Sequence, residues 1–122
     1  MTWQPTEQQI EDAALAGGIN GRTVLHDGLW AIRCGSKLWC PVAPTKQGKA
    51  DLQDLQLAIP LDTLWVFDAQ SNYAAVYVSH HDGDTMFGEQ ITITNNDKHA
   101  ALAQAALEVA AMVGAKMKGT PC

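Results

Sequence analysis

The residues best suited to metal chemistry lie in one short stretch: His80, His81, Asp82 and Asp84. Imidazole and carboxylate groups bind zinc and other divalent metals, so this stretch is a candidate metal site for a small metal-dependent enzyme. Adjacent side chains at a strand end point to opposite faces, so one of the two histidines would join the aspartates. No spaced His or Cys motif elsewhere completes the site. The alternative is a polar hairpin loop in which Asp-Gly forms the turn.

Nucleophilic catalysis has one candidate, Cys34, which would need a histidine brought close by the fold. No catalytic signature surrounds this residue, and a free cysteine is more often a small buried hydrophobe. The sequence also lacks a phosphate-cradling glycine loop and a dinucleotide fingerprint. We therefore predict no catalytic residues, and no cofactor other than a divalent metal at the candidate site.

Tryptophan supplies the candidate partner-binding residues. Trp30 and Trp39 share one face of a predicted hairpin, where they either pack into the core or form an exposed aromatic patch. Arg33 lies on the opposite face, either at the rim of the strand or against a partner. If the protein acts by binding, we expect Trp30, Arg33 and Trp39 to form its contact surface.

The hairpin that positions these tryptophans is predicted over residues 29–42. Gly35-Ser36 separates two apolar runs, and glycine supplies the positive φ of a type II′ turn. In that register Cys34 lies opposite Lys37. Both faces of the hairpin are mostly apolar, a pattern typical of strands that are covered on both sides. We expect helices on both faces, or a helix on one face and a partner on the other.

Hydrophobic periodicity and turn residues predict the remaining elements. A capped helix is expected over residues 6–16 and a long, broadly apolar helix over 98–117. The expected strands outside the hairpin are 23–26, 64–67, 73–78 and 89–94, with loops over 43–51 and 80–88 and an ambiguous segment over 52–59. The fold class is thus α+β, one domain over residues 1–122. It has a mainly antiparallel sheet of about five strands, on which the short N-terminal and the long C-terminal helix pack.

Charge and composition exclude several function classes. The chain has 122 residues and a formal net charge of −5, with its eight Lys and Arg residues scattered. A nucleic-acid-binding protein shows a basic patch, so no nucleic-acid partner is expected. The first residues have no signal-peptide pattern, and no apolar run matches a membrane span, so we expect a cytoplasmic protein without a membrane partner. Three cysteines do not form a disulfide framework.

Two segments carry a resemblance to a known group of proteins. Trp3-Gln4-Pro5-Thr6 with residues 8–13 after it, and Asn95-Asn96-Asp97-Lys98-His99-Ala100-Ala101 at the start of the last helix, resemble small accessory proteins of tailed bacteriophages. The resemblance implies an α/β/α sandwich and a phage or prophage product that acts by binding, on a host protein or a defence system. It implies no catalytic residues.

Three functional hypotheses follow from these patterns. The leading one is a non-enzymatic binding protein of phage or mobile-element type that acts on a host protein. The second is the metal-dependent enzyme centred on residues 80–84. The third is a self-associating structural protein that forms a homodimer through the broad apolar arc of helix 98–117.

Overall fold

The computed structural model describes residues 3–119, in which three helices and six strands alternate. Their bounds are α1 Glu7–Ala16, β1 Arg22–His26, β2 Leu29–Cys34, β3 Lys37–Trp39, α2 Lys46–Ala58, β4 Asp62–Asp68, β5 Tyr73–Asp82, β6 Thr85–Thr92 and α3 Lys98–Gly119. The α+β class and the two terminal helices of the prediction are confirmed.

The strands form two separate sheets, which corrects the expectation of one sheet of about five strands. The first sheet has the order β1-β2-β3 and the second has the order β4-β5-β6, both antiparallel. The first sheet ends early because β3 stops at Trp39, two residues before Pro41, which has no N–H to donate to a neighbouring strand. Helix α2 then separates β3 from β4 along the chain.

The central hairpin folds in the predicted register. Cys34 pairs with Lys37 and Ile32 pairs with Trp39, and Gly35 has the positive φ, 63°, that the turn requires. Alternation along the strands therefore places Trp30, Ile32 and Trp39 on one face, as expected. Cys34 and Cys40 are free thiols.

Local sequence signals set the ends of the two terminal helices. The Thr6 hydroxyl accepts a hydrogen bond from the Gln9 backbone N–H, and the Gln9 side chain accepts one from the Thr6 N–H, which completes the predicted capping box. The Asp97 carboxylate accepts a hydrogen bond from the Ala100 N–H and caps α3.

Helix α2 was missed by the sequence analysis, which placed a loop over 43–51 and left 52–59 ambiguous. Thr45 caps this helix by accepting a hydrogen bond from the Gly48 N–H. Leu52 and Leu55 are buried at helical spacing. The polar composition of the first two turns hid the helix, because only its second half carries an apolar period.

Helix α3 lies at the centre of the protein. It packs against α1 on one side and against β5 and β6 on the other, and α1 packs against β1 and β2. Leu107 and Ala110 belong to the first apolar cluster with α1, and Ala106 and Val109 to the second with β5. The layers are therefore sheet, helix, helix and sheet, and not the α/β/α order that the phage resemblance implied.

The apolar arc of α3 is enclosed by its own chain. By length and composition this helix could cross a membrane, but it is half buried against α1 and the second sheet, as in the core helix of a soluble protein. Because the arc is enclosed, a homodimer through helix 98–117 has little free apolar surface to use. Self-association stays a prediction, and it would need another surface.

Candidate functional site

The four candidate metal ligands lie at a hairpin end: His80, His81 and Asp82 are on strand β5, and only Asp84 is in the turn. Strand β5 runs through Asp82 and β6 starts at Thr85, so the loop expected over residues 80–88 shrinks to a two-residue turn. His80 Nδ1 is 3.0 Å from the Pro60 carbonyl oxygen. The Asp82 carboxylate forms an ion pair with Lys116 at 3.1 Å.

The structure does not bring these ligands together. His80 and His81 point to opposite faces of β5, as the period of a strand requires. In residues 3–119 no group of three or more His, Cys, Asp and Glu side chains is placed to hold a metal ion. The geometry therefore gives no support to the metal-dependent enzyme built on His80, His81, Asp82 and Asp84.

Of the three candidate partner-binding residues, Trp30 and Trp39 lie together on one face of the hairpin, and Arg33 is separated from them. Trp39 is 2% exposed and lies in the first apolar cluster, with Trp30 packed against that cluster and half-buried. Arg33 is exposed on the opposite face of β2. For Trp39 the alternative of core packing applies, and the three side chains do not form one continuous surface.

The second apolar face of the hairpin lines a cleft of about 740 Å³. Leu29, Ala31, Leu38 and Cys40 form its apolar floor, and the start of α2 and the start of α3 form its walls. The hairpin therefore has one face in the core and one face on an open cleft. It has two apolar faces although only one of them is packed in the core, and the expected helices on both faces are not needed.

The cleft is lined by the Cys40 thiol and by the imidazoles of His26 and His99, and neither imidazole is hydrogen-bonded to the thiol. Burial raises the pKa of the Cys40 thiol, which disfavours the nucleophilic thiolate. The Cys40 Sγ donates a weak hydrogen bond to the Trp30 carbonyl oxygen at 3.6 Å. His99 Nε2 is 3.2 Å from the Ala43 carbonyl oxygen, so its ring is engaged with the backbone instead of with the thiol.

One wall of the cleft depends on a buried carboxylate. Asp51 is 1% exposed, and it accepts hydrogen bonds from the Cys40 backbone N–H at 3.0 Å and from Gln47 Nε2 at 2.9 Å. It thereby ties α2 to the chain that leaves β3. A buried donor that loses its acceptor incurs the full cost of its desolvation.

We expect Asp51→Ala to lower the free energy of unfolding by about 2 kcal/mol, because the Cys40 N–H would lose its acceptor in a partly buried position. Urea denaturation followed by circular dichroism measures the loss. Asp54→Ala is the matched control, since Asp54 is exposed on the same helix and its removal should change stability by less than about 0.5 kcal/mol. Equal stability of the two variants would contradict the anchoring role of Asp51.

A second candidate surface lies on the edge strand β4. Its large apolar side chains are open to solvent, with exposed fractions of 59% for Leu64, 47% for Trp65 and 72% for Phe67. We call these three residues the β4 surface. Strand β4 pairs only with β5 and ends the order of the second sheet, so its other edge is unpaired within the described chain.

Both faces of β4 contribute to this surface. Trp65 pairs with Val76, and Leu64 pairs with Tyr77, so the two side chains lie on opposite faces of the sheet. Val76 is fully buried beneath α3. Helix α3 packs against β5 and β6. It leaves Trp65 and Phe67 on β4 largely exposed to solvent.

The β4 surface was not identified from the sequence. Residues 64–67 were predicted as a strand, and an uninterrupted apolar run is typical of a buried strand. The available signal was the pair of aspartates that bound the run, Asp62 and Asp68. Charged residues at the ends of a strand are typical of an edge that is protected from unwanted pairing.

Comparison of the chain with models of protein families, with curated proteins and with solved structures finds no match.

Proposed function

We propose that this chain is a non-enzymatic binding protein that contacts another protein through the β4 surface. The observation that carries the proposal is the exposure of Leu64, Trp65 and Phe67 on one edge strand. Trp65 and Phe67 share one face of this strand and form an exposed apolar patch, which is typical of an interaction site, and tryptophan is enriched among the residues that dominate binding energy. Because Trp30 and Trp39 pack in or against the core, the proposal moves the contact surface from the hairpin to β4.

The phage resemblance and the net charge of the chain indicate what kind of partner to expect. The resemblance of the two chain ends to phage accessory proteins favours a host protein as the target and a phage or mobile element as the origin. The charge of −5 argues against nucleic acid. In this proposal the protein works in the cytoplasm, without a cofactor.

Affinity purification of the tagged protein from its own host tests the proposal. Wild type is compared with a variant that carries Leu64→Thr, Trp65→Thr and Phe67→Thr, because threonine keeps β-strand propensity while it removes the apolar contacts. We expect the co-purifying protein to fall at least about tenfold in the variant, since hot-spot truncations typically cost 2 kcal/mol or more.

The matched control carries Leu25→Thr and Leu57→Gln, which remove exposed apolar side chains away from β4. This control should retain the partner. Circular dichroism must show that both variants remain folded. A partner that binds the β4 variant as well as wild type, or no co-purifying protein at all, would contradict the proposed function.

A further inference from the structure

We propose that the free edge of β4 accepts an extended segment of the partner as an added antiparallel strand, with basic residues at both ends of that segment. This inference rests on the proposed function and specifies its partner. Its basis is the combination on β4 of an open edge, apolar side chains in the middle and an aspartate at each end.

The open edge provides the mode of binding. An unpaired strand edge presents a row of backbone N–H and C=O groups that an extended peptide can satisfy. Strand β4 has seven residues, Asp62–Asp68, which is a usual length for a strand in a sheet. Apolar side chains of an added strand would contact the β4 surface on both faces of the sheet.

The two aspartates provide the charge preference. Asp62 and Asp68 are both exposed. They are six residues apart, an even number, so their side chains lie on the same face of the strand. The ion pairs of the described residues involve Asp12, Asp27 and Asp82, and neither end of β4. Hydrogen bonds from the Ser71 side chain and the Gln70 backbone lower the pKa of Asp68, so it is charged at neutral pH.

The same charges disfavour a second copy of the chain as the occupant. In antiparallel pairing of β4 with itself about Trp65, Asp62 of each copy lies opposite Asp68 of the other. Leu64 then lies opposite Val66, an apolar pair. Like charges directly opposite each other weaken strand pairing, and opposite charges strengthen it. The edge is therefore complementary to a strand with lysine or arginine at its ends.

Pairing of β4 with a second copy of itself tests the charge preference directly. A single charge reversal, at Asp62, makes β4 complementary to itself. Asp62→Lys replaces both aspartate–aspartate contacts of the symmetric pair by lysine–aspartate contacts and leaves the Asp68 turn intact. We expect wild type to sediment as a monomer, and Asp62→Lys to self-associate at least about tenfold more tightly. Analytical ultracentrifugation over a range of concentrations measures both.

Two controls tie any dimer to β4. Asp54→Lys makes the same change in net charge on the exposed face of α2 and should remain as monomeric as wild type. Asp62→Lys combined with Asp68→Lys restores like charges opposite each other and should abolish the dimer. A dimer of Asp54→Lys, or a monomeric Asp62→Lys variant, would overturn the inference.

A peptide tests the added strand without mutation. The probe has the length of β4, with lysine at both ends and alternating valine and threonine between them, and its control has glutamate at both ends. We expect only the lysine-ended peptide to change the tryptophan fluorescence of wild type. Two further peptides carry methyl groups on alternate backbone nitrogens, one on the odd and one on the even positions. Only one of the two should lose binding, because only alternate N–H groups of the added strand face β4.

The outcomes separate this inference from the proposed function. If the variant with threonine at positions 64, 65 and 67 loses its cellular partner while the lysine-ended peptide fails to bind, the protein binds through side chains alone and strand addition is wrong. If both peptides bind equally, the charge preference is wrong. If the peptide binds as expected but no cellular partner depends on the β4 surface, the proposed function fails and the inferred chemistry of the edge is retained.

Discussion

Replacement of Trp39 by alanine should lower the free energy of unfolding by about 4 kcal/mol, the usual range for deletion of a buried aromatic side chain. Trp39 is 2% exposed and packs in the first apolar cluster, between the first sheet and the helices α1, α2 and α3. Its removal would leave a cavity that the rigid hairpin can fill only in part. Urea denaturation followed by far-ultraviolet circular dichroism measures the change.

Two control variants separate core packing from surface contact. Trp39→Phe should cost only about 1 kcal/mol, because the ring volume is largely kept, and the buried Trp39 Nε1–H has no hydrogen-bond partner to lose. Trp65→Ala on β4 should cost clearly less than Trp39→Ala, because Trp65 is 47% exposed. A Trp39→Ala variant as stable as wild type would show that this tryptophan is not a core residue.

The second large effect is expected at Gly114, where helix α3 meets α1. A Cβ at this position would overlap the backbone carbonyl oxygen of Asp12. Backbone atoms of a packed helix cannot turn aside as a flexible side chain can. Although alanine is favoured over glycine by about 1 kcal/mol within a helix, we expect Gly114→Ala to lower the free energy of unfolding by about 3 kcal/mol net.

The neighbouring position supplies the control for this prediction. Ala115 is exposed on the same helix, so Ala115→Gly should cost about 1 kcal/mol through helix propensity alone. Thermal and urea denaturation of the two variants give the comparison. If Gly114→Ala proves more stable than wild type, helix propensity outweighs the close approach, and α1 does not pack as described.

Helix α1 shows what local sequence determines well. Its first residues satisfy each other's backbone groups through the Thr6–Gln9 capping box, and a cap involves only residues three apart. The hairpin over residues 29–42 is similar, since a two-residue turn at Gly35 fixes which residues face each other. These elements depend on contacts between neighbours in the chain, so the sequence predicts them directly.

Helix α2 and the division of the strands into two sheets could not be predicted from the sequence, because they depend on tertiary contacts. The polar start of α2 has no apolar period, and its buried side chains, Leu52 and Leu55, mark only its second half. The number of strands in a sheet depends on which strands meet in space. For the same reason the sequence did not show that His80 would bond to the Pro60 carbonyl instead of joining Asp82 and Asp84.

By itself the sequence determined the α+β class, the caps of α1 and α3, the hairpin register and the two terminal helices. Only the tertiary structure decided which apolar side chains are buried. Trp39 and Trp65 both lie in short apolar strand runs, yet Trp39 is buried in a cluster that includes residues of three helices, and Trp65 is half-exposed on an edge strand. Periodicity describes the faces of an element, whereas burial depends on what packs against each face, and that depends on residues far apart in the chain.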